Sequence, residues 1–359
     1  MNNLKKIGLT ALAGSLVAVS VNAGELGVSG SFTTTYVTHA GDTGTVANDT
    51  GVGIGNNAAI SFSGSGELDN GWTFSGGTAL TDTNTISSNT LSLTMGSMGT
   101  LLVGTGHGGA SGSYDAQTPK AYEEVDDGGA NGSSANSIGN FLDNNAIMYT
   151  SPSFDLEGTA VSFTVEYSPE ANDVSTADGS ASTASTDWNS GRSLGVTVAN
   201  YGATFGAYVA EREYDGPNLN VVGAGAQAGD ASEMVAYLNY AYGPVSVGYS
   251  MSHLDSGTNA GGQSLKTSTK VLRTHNLFTS DTMSIAFNVN DDLSVSYAVL
   301  DDKAEQGNDS ITARTKSYQA AYSMGSMSIK YANTKTSNVG WSSDGRSRTR
   351  NELALGLAF

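Results

Sequence analysis

The chain alternates. Along its 359 residues, short stretches repeatedly set apolar or aromatic side chains at every second position against Gly, Ser and Thr. In "LGVSGSFTTTYV", Leu26, Val28, Phe32 and Tyr36 share one face, and Ser29, Ser31, Thr33 and Thr35 share the other. "AVSFTVEY" does the same with Val161, Phe163, Val165 and Tyr167, and "PVSVGYSM" with Val245, Val247, Tyr249 and Met251. Period two means strand, because successive side chains on a strand point to opposite faces of the sheet. The pattern predicts sixteen strands, at approximately 25–38, 57–68, 71–82, 89–96, 99–106, 145–154, 158–168, 191–200, 203–214, 232–242, 244–255, 282–290, 293–302, 311–323, 327–336 and 350–359. Short turns such as "LDNG" (68–71), "GSMG" (96–99) and "NDD" (290–292) alternate with longer polar loops, so the short connections gather at one end of the sheet.

An even meander of strands about ten residues long is what a sheet needs to cross a bilayer. Lipid offers no hydrogen bond to a free strand edge, so the sheet must close on itself. Small polar residues on one face suit a water-filled interior, whereas a soluble barrel fills its interior with apolar bulk. The expected fold is therefore all-β: a 16-stranded antiparallel transmembrane β-barrel with short periplasmic turns and long outer loops. The last segment, "NELALGLAF", puts Leu353, Leu355, Leu357 and the terminal Phe359 on one face, as the final strand of an outer-membrane barrel would.

The first residues agree with that destination. Lys5 and Lys6 precede an apolar run from Ile7 to about Val21, and "VNA" closes it with small residues Val21 and Ala23. That is a secretory signal, too short for a permanent membrane helix, so 1–23 is assigned as signal peptide and 24–359 as the barrel domain. There is no cysteine, which excludes a disulfide framework. Removing Lys5 and Lys6 takes the formal net charge from −18 to −20. Such a chain repels nucleic acid.

One stretch points elsewhere. "TLLVGTGHGG" (100–109) is an apolar run followed by Gly104, Gly106 and Gly109, the spacing of a dinucleotide-binding loop, with Asp126 and Asp127 about twenty residues on. Such a loop must open a helix. The residues that follow lack a sustained 3.6 period and are broken by Pro119 and by glycines. The glycines are read instead as freeing the backbone to turn sharply away from the wall.

Three stretches carry a resemblance to a known family: "ISFSGSGELDNGWTFSGG" (60–77), "LSLTMGSMGTLLVGTGHGG" (91–109) and "DNNAIMYTSPSF" (143–154). With the terminal Phe359, they resemble the general bacterial porins of Gram-negative outer membranes, of the alphaproteobacterial type. The resemblance implies a homotrimer in outer-membrane lipid, each barrel a water-filled channel for passive diffusion of small hydrophilic solutes and ions. It implies that the third outer loop, here 107–143, folds inward and narrows the bore. It also implies an acidic loop facing basic side chains on the opposite wall. One departure is that "NNAIMYTS" has no arginine, where related chains often carry one.

On that reading the acidic constriction residues are Asp115, Glu123, Glu124, Asp126 and Asp127, joined by Asp143, with Lys120 the only basic residue of the loop. Tyr114 and Tyr122 are expected to pack the loop. Alternation assigns Arg212, Lys330 and Arg350 to the inward face as pore-wall bases, with Glu166, Glu233 and Glu352 inward as well. Arg314 and Lys316 share the parity of Tyr318 and Tyr322 and are placed at the rim. Acid outnumbers base, so a mild cation preference is expected. The alternative is a substrate-specific channel with a solute-binding site in the bore.

The remaining features are weaker. Trp72, Tyr36, Tyr149 and Tyr167 suit interfacial aromatic girdles. Lys266, Lys270 and Arg273 form a small basic patch in the sixth loop, and 170–191 and 255–264 read as polar outer loops. His39, His107, His253 and His275 have no metal-ligand spacing, and no catalytic set is legible, so no enzyme and no cofactor are expected. A structural Ca²⁺ held by Glu123, Glu124, Asp126 and Asp127 is the one metal alternative, although the spacing is not that of an EF-hand.

Overall fold

The structure, a computed structural model, describes residues 25–41, 49–80, 86–115, 117–127, 138, 141–171, 188–214, 230–255, 264–267, 270–274, 277–306 and 309–359. The segment 1–23, where the sequence predicts a signal peptide, and most of the loops at 170–191 and 255–264 lie outside the described residues.

Sixteen strands form one antiparallel sheet. The first eight are β1 (Glu25–Gly41), β2 (Asp49–Glu67), β3 (Thr73–Leu80), β4 (Ile86–Thr94), β5 (Thr100–Thr105), β6 (Asn144–Thr150, resuming as Phe154–Leu156), β7 (Thr159–Ser168) and β8 (Trp188–Asn200). The second eight are β9 (Ala203–Tyr214), β10 (Ala231–Tyr242), β11 (Val245–Asp255), β12 (Leu277–Asn288), β13 (Leu293–Gln306), β14 (Asp309–Met324), β15 (Met327–Ser337) and β16 (Ser347–Ala358). Each pairs with the next, and β1 pairs with β16 from Ser31 opposite Ala358 to Gly41 opposite Arg348. The sheet is therefore a closed barrel. Phe359 completes the seam, exchanging backbone hydrogen bonds with Gly30.

The alternation has the physical origin the sequence implies. Phe62, Leu91, Leu194, Leu238, Met283, Ile329 and Leu355 are all exposed on the outer surface. They make the apolar band that lipid covers. Tyr36 and Tyr167 are exposed there too.

Several strand ends move by a few residues, and three differences have a clear bearing on the sheet. β2 begins at Asp49 because it pairs with β1 all the way to Gly41. β12 begins at Leu277. β6 is interrupted at 151–153, where Pro152 has no N–H to give the ladder. Ser151 spans the gap: its N–H donates to the Phe163 carbonyl, and its Oγ accepts the Phe163 N–H, both at 2.9 Å. Pairing with β7 resumes one residue out of step, from Thr150 opposite Thr164 to Phe154 opposite Val161. This is a bulge.

Burial on the inner wall is uneven. On β7 to β16 the inward positions are mostly buried, among them Thr164, Ser193, Ser250, Thr282, Ala298, Ser317 and Ala354. On β1 to β5 they are mostly open. Something inside the barrel covers one half of the wall.

Candidate functional site

The cover is formed by the described residues of the segment between β5 and β6, 106–115, 117–127, 138 and 141–143. Its root turns sharply. Gly106 sits at φ 64°, and a Cβ there would run into the Ser87 carbonyl. Gly108 and Gly109 are left-handed as well. The spaced glycines of 104–109 thus release the chain from the wall into the bore. The Gly106 N–H donates to the Asp143 carbonyl and to Asn144 Oδ1, both at 3.0 Å, and the Gly108 N–H donates to the Asp143 carboxylate. Asp143 therefore clamps the two ends of the loop together.

Beyond the root the loop lies along the inner wall, strand by strand. On β7, Glu166 accepts the Ala110 N–H at 3.1 Å and the Ser193 hydroxyl at 3.2 Å. His107 Nδ1 accepts the Gly109 N–H at 3.1 Å, and its Nε2 stands 3.9 Å from Glu166 Oε1, with both side chains buried. Burial lowers the His107 pKa, against the pull of Asp143, and keeps the ring neutral. On β8 and β9, Tyr114 stacks on Tyr208 with centroids 5.6 Å apart and lies flat over Gly195, where any side chain would collide with the ring. On β10, Asn239 donates to the Gln117 carbonyl at 2.7 Å. On β13, Ser296 accepts the Ala121 N–H at 2.9 Å, and Ala298 and Leu300 receive Val125.

The tip reaches β14 to β16. Gln319 accepts the Tyr122 N–H at 2.9 Å and donates to the Glu123 carbonyl at 2.7 Å. Arg350 bonds both Glu123 carboxylate oxygens, at 3.2 and 3.3 Å, and also holds Glu352. The Tyr122 hydroxyl donates to Glu352, and Lys330 Nζ stands 5.0 Å from the Tyr122 ring centroid. Burial and the neighbouring Glu352 carboxylate raise the Tyr122 pKa, so the phenol keeps its proton and donates.

The acidic residues expected in the loop fall into different environments. Asp143 is a clamp at the root. Glu123 is nearly buried on Arg350; burial pushes its pKa up to about 7, opposed by the guanidinium. Asp126 borders a small gap against Ser250, Thr282 and Ala298, and burial with the charges of Glu124 and Asp115 pushes it up to about 8. Glu124 pairs with Lys120 at 3.1 Å, both partly exposed. Asp127 is exposed, and its carboxylate accepts the Glu124 N–H at 3.2 Å. Asp115 is partly exposed at the end of a short 3-10 turn.

The basic residues are placed differently from the pattern the resemblance implied. Arg212, Lys330 and Arg350 do take inward positions, but on the strands that the loop covers. Arg350 binds the loop tip directly, and Lys330 stands over Tyr122. Arg212 lies 4.2 Å from the Phe141 ring centroid and 3.9 Å from that of Trp188. Across the bore stands the open wall of β1 to β5. Its inward positions between residues 27–41, 51–65, 73–79, 88–94 and 100–104 include Ser31, Thr33, Ser63, Ser75, Thr90 and Ser92, and no Asp, Glu, Lys or Arg. The loop acids thus face hydroxyls rather than an opposing basic wall.

The Ca²⁺ alternative finds no support in this arrangement. Glu123 turns to Arg350 and Glu124 to Lys120, so the four carboxylates do not converge. Among the described residues no group of three or more His, Cys, Asp or Glu is placed to hold a metal ion. Lys266, Lys270 and Arg273 fall on a small hairpin, Ser264–Thr267 with Lys270–Thr274, and His275 lies outside the described residues.

Several residues that hold the loop were not legible from sequence. Gln319, Ser296 and Gly195 look like any inward strand residue. Only Gln319, a long amide among Ser, Ala and Thr, gives a signal. A second loop also tucks inward: Trp341 packs on Phe278 at 5.3 Å and donates to the Asp302 carbonyl at 3.1 Å.

A barrel narrowed by its third outer loop can be compared with known proteins. The family model described as Gram-negative porin matches residues 8–358. The chain belongs to the Gram-negative porin family. No curated protein sequence matches it significantly. Among solved structures, this porin is similar to OmpF of Salmonella typhi, at TM-score 0.69 and 13% identity over 95% of this chain and 99% of that one. It is similar to the anion-selective porin of Comamonas acidovorans, at TM-score 0.65 and 12% identity over 94% and 100%. It is also similar to in-vitro folded OmpT of Vibrio cholerae in its trimer form, at TM-score 0.56 and 12% identity over 94% and 100%. At these identities the likeness is one of fold. The porin is an outer-membrane channel, with its short turns on the periplasmic side and its long loops outside.

Proposed function

We propose that this porin is a passive, weakly selective diffusion channel for small hydrophilic solutes and ions, with a mild preference for cations, and that it works as a homotrimer. The observation that carries the charge preference is the asymmetry of the bore. Carboxylates of the loop face a hydroxyl-lined stretch of β1 to β5 that carries no Asp, Glu, Lys or Arg between residues 27–41, 51–65, 73–79, 88–94 and 100–104, and the inward bases Arg212, Lys330, Arg348 and Arg350 lie on β9, β15 and β16. Arg350 spends its charge on Glu123 and Glu352. A low-dielectric channel lined by one sign of charge concentrates the opposite ion. The Comamonas porin shares the fold and is described as anion-selective, so charge preference belongs to the lining rather than to the barrel. The trimer form of OmpT supports the assembly proposed for this chain.

Solute flux tests the reading. In liposomes holding the purified porin, an amino sugar should enter faster than its neutral parent sugar, and the neutral sugar faster than the corresponding sugar acid, at equal osmotic gradient. The reverse order would overturn the cation preference. Uptake of only one solute, saturating with concentration, would replace open diffusion by a binding site in the bore.

A further inference from the structure

The root of the inward loop holds a buried titratable pair that ion flow through the bore does not use. His107 stands where the chain leaves β5, and its ring is sealed against β7, with the side chains of His107 and Glu166 1% and 0% exposed. The ring's Nδ1 accepts the Gly109 N–H at 3.1 Å. A neutral imidazole has one acceptor nitrogen and one N–H. With Nδ1 accepting, the hydrogen is on Nε2, which has no acceptor among the described residues. Glu166 Oε1 stands 3.9 Å away, also without a hydrogen-bond partner there, while Oε2 takes the Ala110 N–H and the Ser193 hydroxyl. A buried donor and a buried acceptor face each other at a distance too long for a hydrogen bond.

A proton added to His107 changes what the ring can do. Both nitrogens of a protonated imidazole donate. The Nδ1–H then meets the Gly109 N–H, so the bond between them is lost, and the charged Nε2–H is drawn to the Glu166 carboxylate. That lost bond closes the turn in which Gly108 and Gly109 are left-handed, at φ 77° and 58°. The Gly106 N–H, by contrast, is held by a carbonyl and an amide oxygen, which do not titrate. The charged groups around the ring come from four elements. Asp143, at the far end of the loop, accepts the Gly108 N–H. Glu166 lies on β7, and its neighbour Glu233 on β10 is fully buried and accepts the Tyr208 hydroxyl at 3.2 Å. Arg212 on β9 lies against Phe141 and Trp188. Burial outweighs the pull of Asp143 and lowers the His107 pKa.

The sign of the linkage follows. A ring released into water regains the ordinary value of 6.5, so the released root binds the proton more tightly than the docked root. Docking is intact above about pH 6.5 and weakens below it, by up to about tenfold per pH unit until the docked ring itself titrates. We propose that His107 is a proton-operated catch: acid frees the 107–110 turn from β7 while the loop tip stays seated on the wall. The tip keeps its seat through Gln319, whose bonds to the Tyr122 N–H and the Glu123 carbonyl do not titrate. The catch also works below the range of the tip acids, since Glu123 and Asp126 sit at about 7 and about 8.

The test is backbone hydrogen exchange of the folded porin in detergent, with wild type and His107→Asn compared at the same pH so that intrinsic exchange cancels. Asparagine offers Gly109 an oxygen in place of Nδ1 and takes no proton. Between about pH 7.5 and about pH 5, protection of the 107–111 amides should fall several-fold in wild type relative to the variant, with residues 121–123 alike in both. The same pH profile at 107–111 in both proteins would overturn the proposal. If the variant already lacks protection at about pH 7.5, the ring itself decides. In NMR of wild type with ¹³C-labelled histidine, the signal absent from the variant should titrate below the ordinary histidine value and below His39, His253 and His275. A His107 titration at or above that ordinary value would overturn the catch.

Discussion

Glu123 shows how one carboxylate can serve two ends. It ties the loop tip to Arg350, and it adds to the acid that lines the bore. Burial pushes it up to about 7 and Asp126 up to about 8. A raised carboxylate is protonated and neutral below its pKa and charged above it. Lowering the pH from about 9 to about 6 therefore removes negative charge from the loop, so cation preference should fall over that window, read as the reversal potential across a salt gradient. A flat profile from pH 9 to 6 would show that these two groups lie outside the conducting field. Arg350→Gln leaves Glu123 largely buried without its cation. Unfolding in urea should show the barrel less stable by about 1–3 kcal/mol, the usual cost of stranding a buried polar group. A change below about 0.5 kcal/mol would mean that the tip is held by Gln319 and Tyr122 alone.

Strands were legible from sequence and the interior of the long loop was not, and the reason is physical. A strand between lipid and water must alternate, so β9, read as 203–214, is found at Ala203–Tyr214. The alternation runs through 145–154 without a visible gap, so the break in β6 shows only in the structure, where Pro152 lacks the N–H that the ladder needs. Alternation assigns Lys330 and Arg350 to the inward face, but parity says nothing of what lies over a side chain. Whether a base faces open water or a docked loop depends on hydrogen bonds from Ser296, Gln319 and Asn239, which are spaced like any other wall residues. The loop's bed is also set by absence: Tyr114 lies flat only because residue 195 has no side chain. Gly195→Val should push Tyr114 and the loop toward the bore and lower single-channel conductance. Unchanged conductance would mean that the loop absorbs the displacement along the wall.

For the whole molecule, closure and charge placement matter more than net charge. The chain is strongly acidic, yet between residues 27–41, 51–65, 73–79, 88–94 and 100–104 the inward positions of β1 to β5 carry no Asp, Glu, Lys or Arg, while Asp115, Glu123, Glu124, Asp126 and Asp127 lie on the inward loop. Lipid requires the closed sheet, and the closed sheet leaves the bore free to be tuned by one loop. Native mass spectrometry of the detergent-extracted porin should give three chains per particle; a monomer retaining full channel activity would contradict the proposed assembly. The most direct measurement is the reversal potential of the wild-type channel in a planar bilayer under a tenfold KCl gradient, beside the variant Glu123→Gln, Glu124→Gln, Asp126→Asn and Asp127→Asn. A cation-selective potential that moves toward zero in the variant is the predicted result. An anion-selective wild type, or the same potential in both, would contradict a bore whose charge is set by the inward loop.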